Sequence, residues 1–445
     1  MKDLTEGKES RLILQFATPM LLGNVFQQLY NIVDSIIVGN YIGKEALAAV
    51  GASFPIIFML ISFVIGIASG STIIISQYFG AKNIKNVIRT IDTMYIFMFF
   101  AAIFVSVLGI LFSGLIFKLI NIPEDVYPLA KTYLNIYLVG IVLFFGFNGT
   151  SAILRGLGDS KTPLYFLIAS TLANIGFDLL FVVVFKWGIA GAAYATILSQ
   201  GGAFVTAILY LNRTHKIINL SWRKLVFDRE IFRKSLKIGL PSGFQQTFVS
   251  LGILALFWIV NYYGTNTIAA FSVASRIDSF AAMPAMNFAA ALSTFVGQNI
   301  GANKIDRVKY GLRATFIMTS IVSLTATIVA ILFAKPLMGM FTTDQEVIEI
   351  GATYLTIVSS FYILFSTMFV IGGVLRGAGD TLVPMFITLF ALWVIRIPAS
   401  YYLSKGIGVT GIWWGVPTGW FVGIVLSYIY YKTGKWKTKA VVQHR

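Results

Sequence analysis

The chain has no cysteine, so no disulfide, thiolate nucleophile or thiolate-held metal is available to it. Histidine is almost as scarce: His215 and His444 are the two in 445 residues, and both fall in polar stretches. The side chains that most often carry acid–base and thiol catalysis are therefore missing, and the sequence reads as a non-enzyme. Charge is sparse too. Charged residues make up 12% of the chain, about half of the ~25% usual in soluble domains. In the stretch 101–120 the one charge is Lys118, close to the end. What fills the space is apolar: 57% of residues are hydrophobic, and they come in repeated runs of ~20, the length that crosses a bilayer as a helix. The first ten residues are polar and charged and do not read as a cleavable signal.

Acids are scarcer than bases, 18 against 34, which leaves a net charge of +16. That excess does not point to nucleic acid, because the bases sit in short loops between apolar spans. Counted by side, 26 Lys and Arg fall on one face of the membrane and six on the other, with Arg276 and Arg396 inside spans. The imbalance puts both termini and the central linker in the cytoplasm of a multi-pass plasma-membrane protein. The linker piece Ser221-Trp222-Arg223-Lys224-Leu225-Val226-Phe227 is expected to rest on the anionic inner leaflet.

The chain is written twice. Leu154-Arg155-Gly156-Leu157-Gly158-Asp159 returns 221 residues later as Leu375-Arg376-Gly377-Ala378-Gly379-Asp380. The same offset carries Gln77-Tyr78-Phe79-Gly80-Ala81 onto Gln298-Asn299-Ile300-Gly301-Ala302, and Gly43 onto Gly264. Pro19 and Pro241 correspond with one inserted residue. Self-similarity at a fixed spacing is two copies of one unit. Each copy holds six spans, at 11–37, 46–78, 92–119, 128–153, 162–186 and 189–211, then at 234–262, 267–300, 311–333, 348–374, 383–404 and 407–431. The expectation is an all-α integral membrane protein of twelve transmembrane helices. Residues 1–211 and 234–445 form two six-helix lobes joined by a cytoplasmic linker, 212–233. An even number of spans per copy inserts both the same way, so a pseudo-twofold axis along the membrane normal relates them. Such a body suits a transporter that works by alternating access, acting as a monomer.

Acids inside hydrocarbon are costly and mark function by default. Asp34, Asp178 and Asp278 sit well inside spans, whereas Asp92 is read as a solvated helix start. Asp34 lies nine residues before Gly43, and Asp178 eight before Lys186. At 1.5 Å per residue both are ~12–14 Å below the outer surface. Asn174 is one turn from Asp178 on the same face, and Thr196 lies at about the same depth. In the second copy the matching positions are apolar: Ile395, Ala399, Pro417, and Ala255 or Leu256. Carboxylate, amide and hydroxyl oxygens suit Na⁺, so these four would be its ligands. Two facing, partly desolvated carboxyls equally suit a shared proton. Asp278 and Arg396 are both near mid-membrane in the second copy and read as a buried pair, either locking helices or forming a second substrate or proton locus. Pro19, inside the first span, can bend the helix that carries Asp34 or simply fix a kink. Gln27 and Asn148 add polar groups that could face the solute path. Gly66 and Gly70 read as close helix packing.

On these residues the chain resembles the multidrug and toxic compound extrusion (MATE) family. The likeness runs over nearly its whole length. It rests on Pro19 with the 27–34 stretch, the duplicated motif at 154–159 and 375–380, Asn174 with Asp178, and the two six-helix halves. The resemblance implies a two-lobed exporter of amphipathic organic cations, driven by inward H⁺ or Na⁺ and needing no other cofactor. It implies that Asp34, Asn174, Asp178 and Thr196 form the cation site of the first lobe. By the same likeness Pro19 is the bending proline, and Gln27 and Asn148 approximate drug-lining positions. Some members also carry acids on the seventh and tenth helices. Here those interiors have none, with Glu349 only at an edge, so the first-lobe site is favoured. The alternative is a lipid-linked precursor flippase of the related superfamily, which would call for a basic cavity. A major-facilitator fold fits less well, since Gly80-Ala81-Lys82-Asn83-Ile84-Lys85 lacks that class's basic Gly-Arg-Arg loop.

Overall fold

A computed structural model of the chain describes residues 2–120, 122–214 and 225–442. His215, His444 and residues 221–224 of the proposed membrane-resting segment lie outside the described residues. All regular structure among the described residues is helical. The first half runs α1 (Glu9–Tyr41), α2 (Lys44–Gly80), α3 (Ile84–Leu119), α4 (Tyr127–Val139), α5 (Ile141–Gly156), α6 (Lys161–Asp178) continuing as a π-helical stretch (Leu179–Val184), and α7 (Gly188–Thr214). The second runs α8 (Arg229–Asn261), α9 (Thr265–Gly301), α10 (Ile305–Leu332), the short α11 (Ala334–Gly339), α12 (Gln345–Ser359) and α13 (Tyr362–Gly377). It continues with α14 (Leu382–Leu389), a second π-helical stretch (Phe390–Arg396), α15 (Ile397–Ile407) and α16 (Val409–Thr433).

Nine of these helical runs are long and apolar enough to cross a membrane by themselves, and the α4–α5 and α12–α13 pairs add one span each. The more polar, 33-residue α1 supplies the twelfth. Twelve spans, six per copy, follow the apolar runs of the sequence closely. Two differences have local causes. The spans expected at 128–153 and 348–374 are bent, by 53° at Gly140 and by 49° between Ser359 and Tyr362. The third span begins at Ile84 rather than 92, because the Asn83 side chain accepts from the Asn86 amide at 3.2 Å and caps the helix early. Asp92 is thus not a helix start. It lies two turns inside α3, and its Oδ2 accepts a long 3.4 Å bond from the Val226 amide.

The duplicated motif turns out to be a connector. Gly158 and Gly379 close α5 and α13 at φ 80° and 92°, a region that disfavours residues with a Cβ. The acid that follows starts the next helix. Asp159 Oδ1 accepts from the amides of Lys161 (3.1 Å) and Thr162 (3.0 Å), and Thr162 Oγ1 donates to Asp159 Oδ2 at 2.8 Å. Asp380 Oδ1 accepts a long 3.5 Å bond from the Val383 amide, and the Tyr430 hydroxyl donates to its Oδ2 at 2.5 Å.

By packing, the chain forms two compact units: residues 1–2 with 18–243, and residues 3–17 with 244–445. Helices α1 and α8 therefore each start in one unit and end in the other, and the crossings lie within a few residues of Pro19 and Pro241. In the first unit α8 crosses α2 at almost bare backbone. A Cβ on Gly66 would lie 2.6 Å from the Gly243 nitrogen, and one on Gly239 would lie 2.5 Å from Ile67 Cα. Spacing of four residues on both helices makes this the small-residue contact expected of membrane helices.

In the second unit the residues ahead of α1 are anchored at Leu4, Thr5 and Gly7. Leu4 and Thr5 are buried. The Leu4 amide donates to Gln298 Oε1 (2.9 Å), Asn299 Nδ2 donates to the Leu4 carbonyl (3.1 Å), and Lys304 Nζ to that of Thr5 (3.0 Å). Arg307 ties the set together: to the Gly7 carbonyl at 2.7 Å, to Asn299 Oδ1 at 3.0 Å and to Glu9 as an ion pair at 2.9 Å. The repeated Gln-Asn-Ile-Gly-Ala motif is thus partly a socket for the start of the chain. Charge-assisted bonds to partly buried groups contribute about 1.5–3 kcal/mol each. Arg307→Ala is therefore expected to lower the melting temperature of purified protein measurably, whereas Lys309→Ala, whose ion pair with Asp306 is exposed, should leave it unchanged.

Candidate functional site

The first unit gathers its buried acids at one point. Asp34 lies on α1, Asp178 is the last residue of α6, and their carboxyl groups face one another within hydrogen-bonding reach. Asp178 is fully buried and Asp34 is 7% exposed. Neither has a Lys or Arg partner among the described residues. Both oxygens of Asp178 and Oδ1 of Asp34 lack any hydrogen-bond donor. Each buried acceptor left in this way costs about 1–3 kcal/mol, so the pair is held against its own preference by the surrounding helices. It is set up to take something positive: a proton shared between the two carboxyls, or a small cation.

Neutral oxygens complete the surroundings. Asn174, one turn before Asp178, is 1% exposed, and both polar atoms of its amide are without partners. Thr196 on α7 is buried; its hydroxyl meets that of Tyr30 at 3.1 Å and the Ala192 carbonyl at 3.1 Å. Tyr30 stands one turn before Asp34 and lies in the field of both acids. Tyr133 and Tyr137 of α4 are also buried, and Tyr133 likewise senses Asp34 and Asp178. Their rings stack at 6.4 Å. The four residues picked from the sequence thus come from three helices into one region. The three tyrosines were missed; the available signal was Tyr133 and Tyr137, one helical turn apart on one face of α4. No group of three or more His, Cys, Asp or Glu converges among the described residues. The donor set of two carboxylates with neutral oxygens suits a monovalent ion or a proton better than a divalent metal.

The backbone beside Asp178 is unusual. Immediately after it the helix widens to π, seen in the Phe185 amide bonding the Leu180 carbonyl five residues back at 2.8 Å. Such stretches are frequent at functional positions and had no sequence signal here.

The remaining sequence candidates are more scattered. Gln27 is exposed on α1, and Asn148 donates to the Phe144 carbonyl of its own helix at 2.9 Å. Pro19 is buried, and α1 is helical on both sides of it. Glu349 pairs with Lys335 at 2.6 Å in an exposed position. Asp278 and Arg396 are electrostatic neighbours in the second unit. Asp278 Oδ2 accepts from the Tyr354 hydroxyl at 3.4 Å, and Asp278 Oδ1 and Arg396 Nε each lack a hydrogen-bond partner.

Comparison with known proteins bears on this arrangement. A family model described as MatE matches residues 19–180 and again residues 241–402, one match in each copy. The chain is 34% identical over 435 residues to "Probable multidrug resistance protein YpnP" of Bacillus subtilis (strain 168), covering 98% of this chain and 97% of that protein. It is 35% identical over 437 residues to "Probable multidrug resistance protein YoeA" of the same organism, covering 96% and 94%. Among solved structures, the outward-facing conformation of a multidrug resistance MATE family transporter of the MOP superfamily superposes with a TM-score of 0.91 over 99% of this chain and 98% of that one. At 23% identity that likeness speaks for the fold.

Proposed function

This chain belongs to the MatE family, and from that membership we propose that it is a cation-coupled antiporter that exports amphipathic organic cations from the cell. It is a membrane transporter of that family. In this reading it lies in the plasma membrane with both termini in the cytoplasm, works as a monomer, and alternates access between lobes 1–211 and 234–445 joined by 212–233. The observation that carries the proposal is the Asp34–Asp178 carboxyl pair, buried, facing and without a basic partner. The relatives' names, which speak of multidrug resistance, support the substrate class.

The mechanism follows from charge. With both acids ionised the pocket attracts an organic cation. A proton or Na⁺ arriving from outside neutralises it, weakens that attraction and releases the cargo outward. Discharge of the ion to the cytoplasm restores the charges. Coupling requires only that the ion and the cargo favour different states of the same pocket. Asn174 and Thr196 would supply neutral oxygens to Na⁺, while Tyr30 would hold Thr196 in place. Pro19 would serve as the hinge of α1, and Gln27 and Asn148 would lie along the cargo's path. An acidic pocket argues against the lipid-linked precursor flippase, whose pyrophosphate needs bases.

The test is transport in proteoliposomes loaded with a cationic dye, under an imposed Na⁺ gradient or an imposed pH gradient. One of the two gradients is expected to drive dye movement and the other to leave it at background. Movement of a lipid-linked precursor with no response of the dye to either gradient would overturn the proposal.

A further inference from the structure

The second unit carries a concentrated positive charge that the proposed mechanism does not use, at the end of α16. No Asp or Glu occurs anywhere in 381–445, while Lys432, Lys435, Lys437 and Lys439 follow one another closely. All four are exposed, and none makes an ion pair among the described residues. Asp306 of α10 is an acid in whose field Lys437 lies, and it is already paired with Lys309 at 2.8 Å.

A trailing tail would scatter these charges, but this one is folded. Gly434 ends α16 in the left-handed region at φ 69°, and Lys435–Lys439 wind into a 3-10 turn. Trp436 anchors the turn. It is 1% exposed, stacks on Tyr431 at 5.5 Å, and donates from Nε1 to the Tyr431 carbonyl at 3.0 Å. The Lys437 amide bonds the Gly434 carbonyl at 3.0 Å, and Thr438 Oγ1 donates to the Lys435 carbonyl at 2.8 Å. Burial of Trp436 thus holds its lysine neighbours together at the surface, where like charges repel unless an anion joins them.

The helix itself supplies the second feature. Phe421, Val425, Tyr428 and Lys432 follow at spacings of four, three and four, so they share one face, and all are exposed. Lys432 Nζ lies over the Tyr428 ring at 5.4 Å. An apolar stripe on a helix long and apolar enough to span the membrane therefore runs directly into the basic turn. A nucleic acid, an acidic peptide or free phosphate would use the lysines and leave the stripe bare. A molecule with acyl chains and a phosphate headgroup uses both, and lysines just beyond a membrane span attract anionic lipid.

We propose that the end of α16 and the turn after it form a binding site for an anionic phospholipid, with the headgroup phosphate among Lys432, Lys435, Lys437 and Lys439 and an acyl chain along Phe421, Val425 and Tyr428. Trp436, being buried, is a positioning residue that presents the lysines. The site stands apart from the ion and cargo machinery, and its test reads retained lipid, so its failure leaves the transport reading standing.

Purified full-length protein is mixed in neutral detergent with equal amounts of phosphatidylglycerol and phosphatidylcholine and recaptured, and the two retained lipids are counted by mass spectrometry. Wild type is expected to favour phosphatidylglycerol by about tenfold or more, since each lysine near an anionic surface is worth about fivefold. Lys435→Gln should lower that ratio about fivefold, and Lys432→Gln/Lys435→Gln should bring it close to parity. Lys82→Gln/Lys85→Gln, which removes exposed bases from the α2–α3 turn, should change it by less than about twofold. Trp436→Ala, which keeps every lysine but frees the turn, should lower it about threefold or more. Excess inorganic phosphate should displace no more phosphatidylglycerol than sodium chloride of equal ionic strength. A wild-type ratio near one, an equal fall in Lys82→Gln/Lys85→Gln, or an unchanged ratio in Trp436→Ala would mean a diffuse positive surface only. Displacement by phosphate beyond the salt control would mean a site for free anions and would overturn the lipid assignment. If Trp436→Ala does not fold, Lys435→Gln and the two double variants decide the matter.

Discussion

Asp34→Asn should reduce resistance to a cationic drug to the level of cells lacking the transporter, while the variant still reaches the membrane in normal amount. The substitution keeps the size of the side chain and removes its charge and its ability to carry a proton. Asp178→Asn should do the same. The stability of the two variants should move the other way. Asp34 and Asp178 are like charges held face to face, buried, with donor-free oxygens. Removing one charge relieves repulsion and a desolvation penalty, so each variant should melt at the same temperature as wild type or higher. Loss of transport without loss of stability is the signature of a group kept for function. Because both acids act as a unit, the double variant should be no worse than either single one. Normal drug efflux from Asp34→Asn, or a marked fall in its melting temperature, would contradict this account.

The second large effect is structural. Gly239→Leu should leave no folded transporter, and Gly239→Ala should be destabilised by about 1–3 kcal/mol, the usual cost of overpacking. The reason is that the first atom of any side chain at Gly239 would meet backbone, 2.5 Å from Ile67 Cα and 2.8 Å from the Gly66 carbonyl oxygen. Backbone cannot rotate away as a flexible side chain can. Gly202 in α7 provides the control, since a Cβ there meets nothing within 4 Å. Gly202→Ala should therefore be neutral or stabilising by up to about 1 kcal/mol through helix propensity alone. Thermal melts of the three proteins in one detergent would decide it, and equal melts for Gly239→Ala and Gly202→Ala would refute the crossing.

Depth was legible in the sequence, and azimuth was not. Counting residues from Gly43, Lys186 and Gly188 put Asp34, Asp178 and Thr196 in one layer, because helical rise is a fixed 1.5 Å per residue. Rotation about the axis is set at each helix by its neighbours. Counting therefore could not show Tyr30 reaching Thr196, Tyr133 and Tyr137 beside the acids, or Gln27 exposed. The same limit explains Asp278 and Arg396. Their shared depth put them near each other, and they are electrostatic neighbours, but depth could not show the Tyr354 hydroxyl donating to Asp278 Oδ2.

The sequence by itself determined that this is a duplicated membrane protein of twelve helices with acids buried in hydrocarbon. Hydropathy, repeat spacing, turn glycines and capping side chains are properties of short segments or of their order along the chain. Only the tertiary structure decided that two of those acids face each other without a base. It alone revealed that α1 and α8 each pass from one compact unit into the other, and that both units widen a helix to π beside a charged residue, Asp178 in one and Arg396 in the other. Those outcomes depend on side chains hundreds of residues apart competing for the same space, and packing resolves that competition.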